Sequence, residues 1–162
     1  MLTNKQLVEC VPNFSEGRDL AIIDQITAAI QTVEGVRLLN VDPGKATNRT
    51  VVTFVGEPSA VVEAAFRAIA KAGELIDMRN HKGEHPRMGA TDVCPLIPIA
   101  GISLEETALY ARQLAKRVGE ELSIPVYCYE AAQSDKTRSN LSVIRAGEYE
   151  GFFKKIKEPF WK

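Results

Sequence analysis

The feature that most restricts this chain is the order in which the spacing of its apolar residues changes. LVECV (7–11) closes with Pro12 and reads as a strand, and residues 13–17 carry turn chemistry. Ile22, Ile23, Ile26, Ala29, Ile30 and Val33 then recur at three- and four-residue spacing, with Gly35 where a left-handed stop belongs, which predicts a helix. Residues 36–41 return to a strand, 42–49 form a loop rich in Pro, Gly, Thr and Asn, and 50–55 are a strand heavy in β-branched residues. Pro58 suits the first position of a helix that shows Val62, Ala65, Phe66, Ile69 and Ala70 on one face before Gly73. After a polar stretch, 93–99 reads as a fourth strand, which Pro95 and Pro98 make an edge strand or an irregular one.

That order, βαββαβ, is the split β-α-β signature of a ferredoxin-like sandwich: an α+β fold with a mostly antiparallel sheet and helices on one face. Ser103 with Glu106 three residues on is a capping box, and Leu104, Ala108, Ala111, Leu114, Ala115, Val118 and Leu122 follow it as a third helix. A short strand over 125–129 and a last helix over 148–157 extend the sandwich. At 162 residues the chain is one domain, long enough to bury a core without staples.

Twenty basic and 21 acidic side chains leave no basic excess for nucleic acid, so a small ligand is the expected partner. Three widely spaced cysteines, Cys10, Cys94 and Cys128, write neither a disulfide framework nor a zinc site, and fit a reducing compartment. No apolar run approaches the ~20 residues that span a bilayer and no signal peptide opens the chain, so a cytoplasmic location away from membranes is expected. The ending KKIKEPFWK places Phe160 and Trp161 on the last turn, where termini are usually polar, which reads as a truncated edge.

The chemistry concentrates in HKGEHPRMGATDVCP (81–95), which holds both histidines, Glu84, Arg87 and Asp92 around two glycines. His81, Glu84 and His85 spell H-x-x-E-H, but that zinc motif needs one helix, and Gly83 and Pro86 deny it, so no metal is expected. His85 is the better general acid or base, because Pro86 restricts its backbone; two surface histidines in a mobile loop are the alternative. Asp42 either orients an imidazole or holds an amine, or only shapes the turn before Pro43. Lys45, Arg49, Arg79, Lys82 and Arg87 would give these loops a positive field suited to a substrate with several carboxylates. Residues 7–18 and 135–140 supply further amides and hydroxyls, although Asn13 and Ser15 also suit a turn or cap. No P-loop or G-x-G-x-x-G is present, which argues against ATP and NAD.

Four strings together resemble the glutamate formiminotransferase family: LVECVPNFSEGR, NVDPGKATNRTVVTFVGEP, LIDMRNHKGEHPRMGATDVCPLIP and SVIRAGEYEG, in the family's own order. The resemblance covers residues 1–162 as the family's N-terminal subdomain, without the C-terminal subdomain that follows in the family. It implies transfer of a formimino group from N-formimino-L-glutamate to tetrahydrofolate, a co-substrate bound in a tunnel between the subdomains, as a step of histidine degradation. It makes His85 catalytic and gives Asp42 a part in proton handling or positioning. Arg49, Arg87, Asn13 and Asn48 are then expected to bind substrate, the arginines through carboxylates. A C-terminal formiminotransferase subdomain or a second copy of the chain is the expected partner. The alternatives are a stand-alone folate-binding or interaction module without turnover, and a member acting on 5-formyltetrahydrofolate.

Overall fold

The computed structural model describes residues 5–162. Six strands form one antiparallel sheet: β1 (Leu7–Cys10), β2 (Asn13–Phe14), β3 (Val36–Gly44), β4 (Arg49–Gly56), β5 (Thr91–Val93) and β6 (Leu96–Ala100). Two of the four strands read from the sequence are each broken in two. The first is β1 and β2, interrupted at Val11 and Pro12, so residues 13 and 14 join the sheet although their composition reads as a turn. The fourth is β5 and β6, interrupted at Cys94 and Pro95. β4 pairs with β3 on one side and with both β1 and β2 on the other, and these pair outward with β6 and β5. That is the βαββαβ sandwich with its first strand beside the third and fourth.

β3 continues to Gly44, so the expected eight-residue loop shrinks to the turn 45–48 and Asp42 is a strand residue. Pro43 is tolerated because β3 pairs only with β4, and an edge strand can lack one amide donor. The strand expected over 125–129 does not form; these residues run without a ladder partner.

The helices are α1 (Leu20–Gln31), α2 (Pro58–Leu75), α3 (Leu104–Leu122), α4 (Leu141–Arg145) and α5 (Glu148–Lys155). Asp19 caps α1 by accepting from the amides of Ala21 and Ile22, and Ser103 caps α3 through the Glu106 amide at 3.1 Å. Gly35 is left-handed at φ +85°, as its place after α1 predicts. α2 runs through Gly73 rather than stopping before it. The missing side chain there admits Ile124, whose Cδ1 lies 3.4 Å from where a Cβ would stand.

α2 sits between α1 and α3. Its Ala64, Ala65, Ala68 and Ala72 are fully buried, and these small side chains let it lie close over Val8, Cys10, Val52 and Phe54 of the sheet. Strand alternation then sorts the two faces. Thr50, Val52 and Phe54 point to the helices, while Arg49, Val51, Thr53 and Val55 are only partly buried and point to the opposite face, which no helix among the described residues covers. The last residues are better packed than their position suggests: Trp161 is buried, the Tyr127 hydroxyl donates to its carbonyl, and Phe160 is half exposed. No helix among the described residues is long and apolar enough to cross a membrane.

Candidate active site

The uncovered face of the sheet collects functional groups by register. Asn13 on β2 and Asp42 on β3 both lie opposite Val51, so their side chains emerge from the same face on either side of it, about 10 Å apart at the strand spacing. Arg49, two residues before Val51, shares that face. Its Nε donates to Asn13 Oδ1 at 2.9 Å, and its Nη1 lies 2.8 Å from His85 Nδ1 and 2.8 Å from Asp92 Oδ2. Burial pulls the Arg49 guanidinium below its ordinary value, with the Asp92 carboxylate opposing that shift.

The histidine loop reaches this face because three backbone segments close on one another. Asn48, left-handed at φ 48° and almost wholly buried, accepts from the Gly17 amide at 2.9 Å and donates to the Lys82 carbonyl at 3.1 Å. Its own carbonyl is 2.8 Å from His81 Nε2. The Glu84 amide donates to the Ala46 carbonyl at 3.2 Å. Gly83 is required where the loops meet, because a Cβ on it would stand 2.1 Å from the Thr47 carbonyl oxygen.

The two histidines are placed differently. His81 is buried; Arg87 Nε donates to its Nδ1 at 3.0 Å, so its Nε2 carries the proton and donates to Asn48. Both nitrogens are therefore engaged by protein. His85 is half-buried on the open face, with Nδ1 2.6 Å from the Pro86 carbonyl and beside Arg49; among the described residues its Nε2 has no hydrogen-bond partner. The guanidinium and the carbonyl make opposite demands on Nδ1. If Nδ1 accepts from Arg49, Nε2 bears the ring proton; if Nδ1 donates to the Pro86 carbonyl, Nε2 presents a lone pair.

The structure thus brings His85, Arg49, Asn13 and Asp42 to one face. Asp42 is exposed, and no hydrogen bond among the described residues reaches its carboxylate, so it shares the face without touching the imidazole network. Asn48 and Arg87 are placed otherwise. Arg87 is 8% exposed and holds Glu150 at 2.7 Å, Glu148 at 3.3 Å and the His81 carbonyl at 3.1 Å. Its guanidinium is raised above the ordinary value, chiefly by the bond to Glu150, and it drives the Glu150 carboxyl down to about 2. Asn48 and Arg87 hold the histidine loop to the chain around it.

Two residues of the network carry no assignment from sequence. Asp92 has a side chain with no exposure, and its carboxylate receives Arg49, Arg145 from α4 at 2.8 Å, and the Met88 amide at 2.6 Å. Its place in the HPRMGATD string is visible, but the partner 53 residues away is not. A cavity of about 620 Å3 also lies between α2, α3 and the segment 124–153. It is lined by apolar groups such as Ile69, Leu114 and Val118, which do not suit a multiply charged substrate.

Fold and site together define an α+β domain that presents one loop histidine, with an oriented ring, on the open side of a ferredoxin-like sheet. Comparison with known proteins makes this specific. Residues 7–162 match the family model described as "Formiminotransferase domain, N-terminal subdomain", and the chain belongs to that family. It is 55% identical over 156 residues to the formimidoyltransferase-cyclodeaminase of Rattus norvegicus, covering 96% of this chain and 29% of that protein. It is 49% identical to the glutamate formimidoyltransferase of Thermoplasma acidophilum and 44% identical to that of Streptococcus pyogenes serotype M1, in each case over 96% of this chain and 52% of the relative. The chain therefore spans from under a third to about half the length of these relatives.

Proposed function

We propose that this chain carries the histidine side of a formimidoyl-transfer site, moving a formimino group from N-formimino-L-glutamate to tetrahydrofolate, a step of histidine degradation, when a second formiminotransferase subdomain closes over the open face. The observation that carries the reading is His85: its Nδ1 is held at 2.6 Å from a backbone carbonyl, while Nε2 has no partner among the described residues.

The chemistry follows from that asymmetry. An amine of tetrahydrofolate adds to the amidine carbon, forming the new C–N bond, and Nε2 takes the amine proton. The bond from that carbon to the glutamate nitrogen then breaks, and Nε2 returns the proton to the departing nitrogen. The Nδ1–H bonded to the Pro86 carbonyl keeps the ring aimed through both steps. Asp42, exposed on the same face, is the group to attract the amidine or the attacking amine. Arg49 and Asn13 border the reacting centre. The exposed Lys45 and Lys82, on the two loops that meet at Asn48, make no ion pair among the described residues and are offered to substrate carboxylates.

The test is a titration of the 15N-labelled chain with N-formimino-L-glutamate, followed by amide and imidazole NMR. Perturbations centred on Asn13, Asp42, Arg49 and His85 are expected. Perturbations confined to the helix side, or none at millimolar ligand, would refute the placement.

A further inference from the structure

The Asp92 cluster is costly as a mere structural ion pair. Two guanidinium groups converge on one buried carboxylate oxygen, and Arg145 Nε is itself buried with no hydrogen-bond partner among the described residues. The cluster also touches the candidate catalytic ring through Arg49. Arg49 Nη1 has two hydrogens and three acceptors around it: Asp92 Oδ2 at 2.8 Å, His85 Nδ1 at 2.8 Å and the Pro86 carbonyl at 3.3 Å. Whichever acceptors it serves decides the tautomer of His85.

We propose that Asp92 is a positioning residue for His85: its buried carboxylate takes one of the two Nη1 hydrogens of Arg49, and its negative charge offsets the guanidinium that stands 2.8 Å from Nδ1, which favours the tautomer with Nδ1–H on the Pro86 carbonyl and a lone pair on Nε2. This rests on the reading of His85 as the proton carrier. Arg145 and the Met88 amide fix Asp92 from two directions, tying the aim of the ring to α4 near the end of the chain. Removing the negative charge would leave two buried cations beside the imidazole, and both disfavour a proton on Nδ1. The ring would then turn to the Nε2–H tautomer and lose its ability to take the amine proton.

The chain has two histidines, which makes the measurement direct. In the 15N-histidine-labelled chain, His81 is fixed as Nε2–H by Arg87 and Asn48 and serves as the internal reference. Wild-type His85 is expected to show a protonated Nδ1 and an unprotonated Nε2. Asp92→Asn, which keeps an oxygen for the Met88 amide, is expected to invert that pattern at His85 and leave His81 unchanged. Arg145→Met gives Asp92 to Arg49 alone and is expected to hold His85 at least as firmly in the wild-type tautomer, so it serves if Asp92→Asn does not fold.

With the chain complemented by a formiminotransferase C-terminal subdomain, Asp92→Asn should lower kcat about 100-fold, with KM changed less than about twofold, as misaiming a reacting group does. A folded Asp92→Asn with the wild-type His85 tautomer, or Arg145→Met with an inverted one, would overturn the proposal. If His85→Ala leaves transfer undiminished, the functional reading fails instead, while the tautomer measurement still decides the role of Asp92.

Discussion

Gly83→Ala is the substitution whose outcome follows most directly from the geometry. Its new Cβ would stand 2.1 Å from the Thr47 carbonyl oxygen, 2.7 Å from the carbonyl carbon and 3.0 Å from Asn48 Cβ. Two of these are backbone atoms of the β3–β4 turn and cannot rotate aside, so the histidine loop must separate from the turn by about 1 Å to regain van der Waals contact. Overpacking of this kind costs about 1–3 kcal/mol. The separation also strains the Glu84 amide bond to Ala46 and the Asn48 bond to the Lys82 carbonyl, each contributing about 1 kcal/mol. A net loss of about 2–4 kcal/mol is expected, which in urea lowers the unfolding midpoint by about 1–2 M at a slope of about 2 kcal/mol per M. The assay is urea unfolding followed by tryptophan fluorescence and circular dichroism. A midpoint within about 0.3 M of wild type, with an unchanged slope, would refute the claim that this backbone contact holds the site together.

Other perturbations separate site from scaffold. Gly151→Ala, in α5 with nothing within 4 Å of the added carbon, is expected to stabilise the chain by about 0.5–1 kcal/mol in the same assay, because alanine favours helix over glycine. Trp161→Ala is expected to cost about 3 kcal/mol, since the ring is buried against Tyr127 and under Lys155; an unchanged urea midpoint would show the end of the chain to be loose. Arg87 depresses the Glu150 carboxyl from 4.5 to about 2, so the unfolded chain binds the extra proton and this contribution to stability is complete above pH 4.5. It is lost as pH falls from 4.5 to about 2, and Glu150→Gln is expected to flatten the fall in thermal midpoint within that window while leaving the midpoint's slope above it unchanged.

The sandwich was legible because the switch between two-residue and three-to-four-residue spacing is a local property, and α1, α2, α3 and the βαββαβ order lie where that spacing puts them. The breaks were not. Residues 13 and 14 read as turn by composition, yet they pair with Val51 and Thr50 because the sheet continues past Pro12, and a neighbour's register cannot be seen from one strand. Asp42 read as a loop residue for the same reason: Pro43 signals a turn unless the strand is at an edge.

At the site, the adjacency of His85 and Pro86 can be read within one segment, but the 2.6 Å approach of Nδ1 to the Pro86 carbonyl cannot. Arg49, Asn13 and Asp42 come together because two pairing registers share Val51, which no spacing within one segment reveals. Arg87 reads as a carboxylate receptor, and the carboxylates it meets within this chain are Glu148 and Glu150, more than 60 residues on. Composition identifies a guanidinium; only the fold says which anions face it. Asp92 was hidden by the same logic, since its worth lies in Arg145.

The central claim is that His85 carries the proton in formimidoyl transfer, and the most direct measurement is transfer from N-formimino-L-glutamate to tetrahydrofolate by this chain combined with a family C-terminal subdomain, wild type beside His85→Ala. Transfer by the wild-type combination is expected, with a loss of at least about 100-fold in kcat for the variant and its urea midpoint nearly unchanged. Equal rates for the two combinations would contradict it.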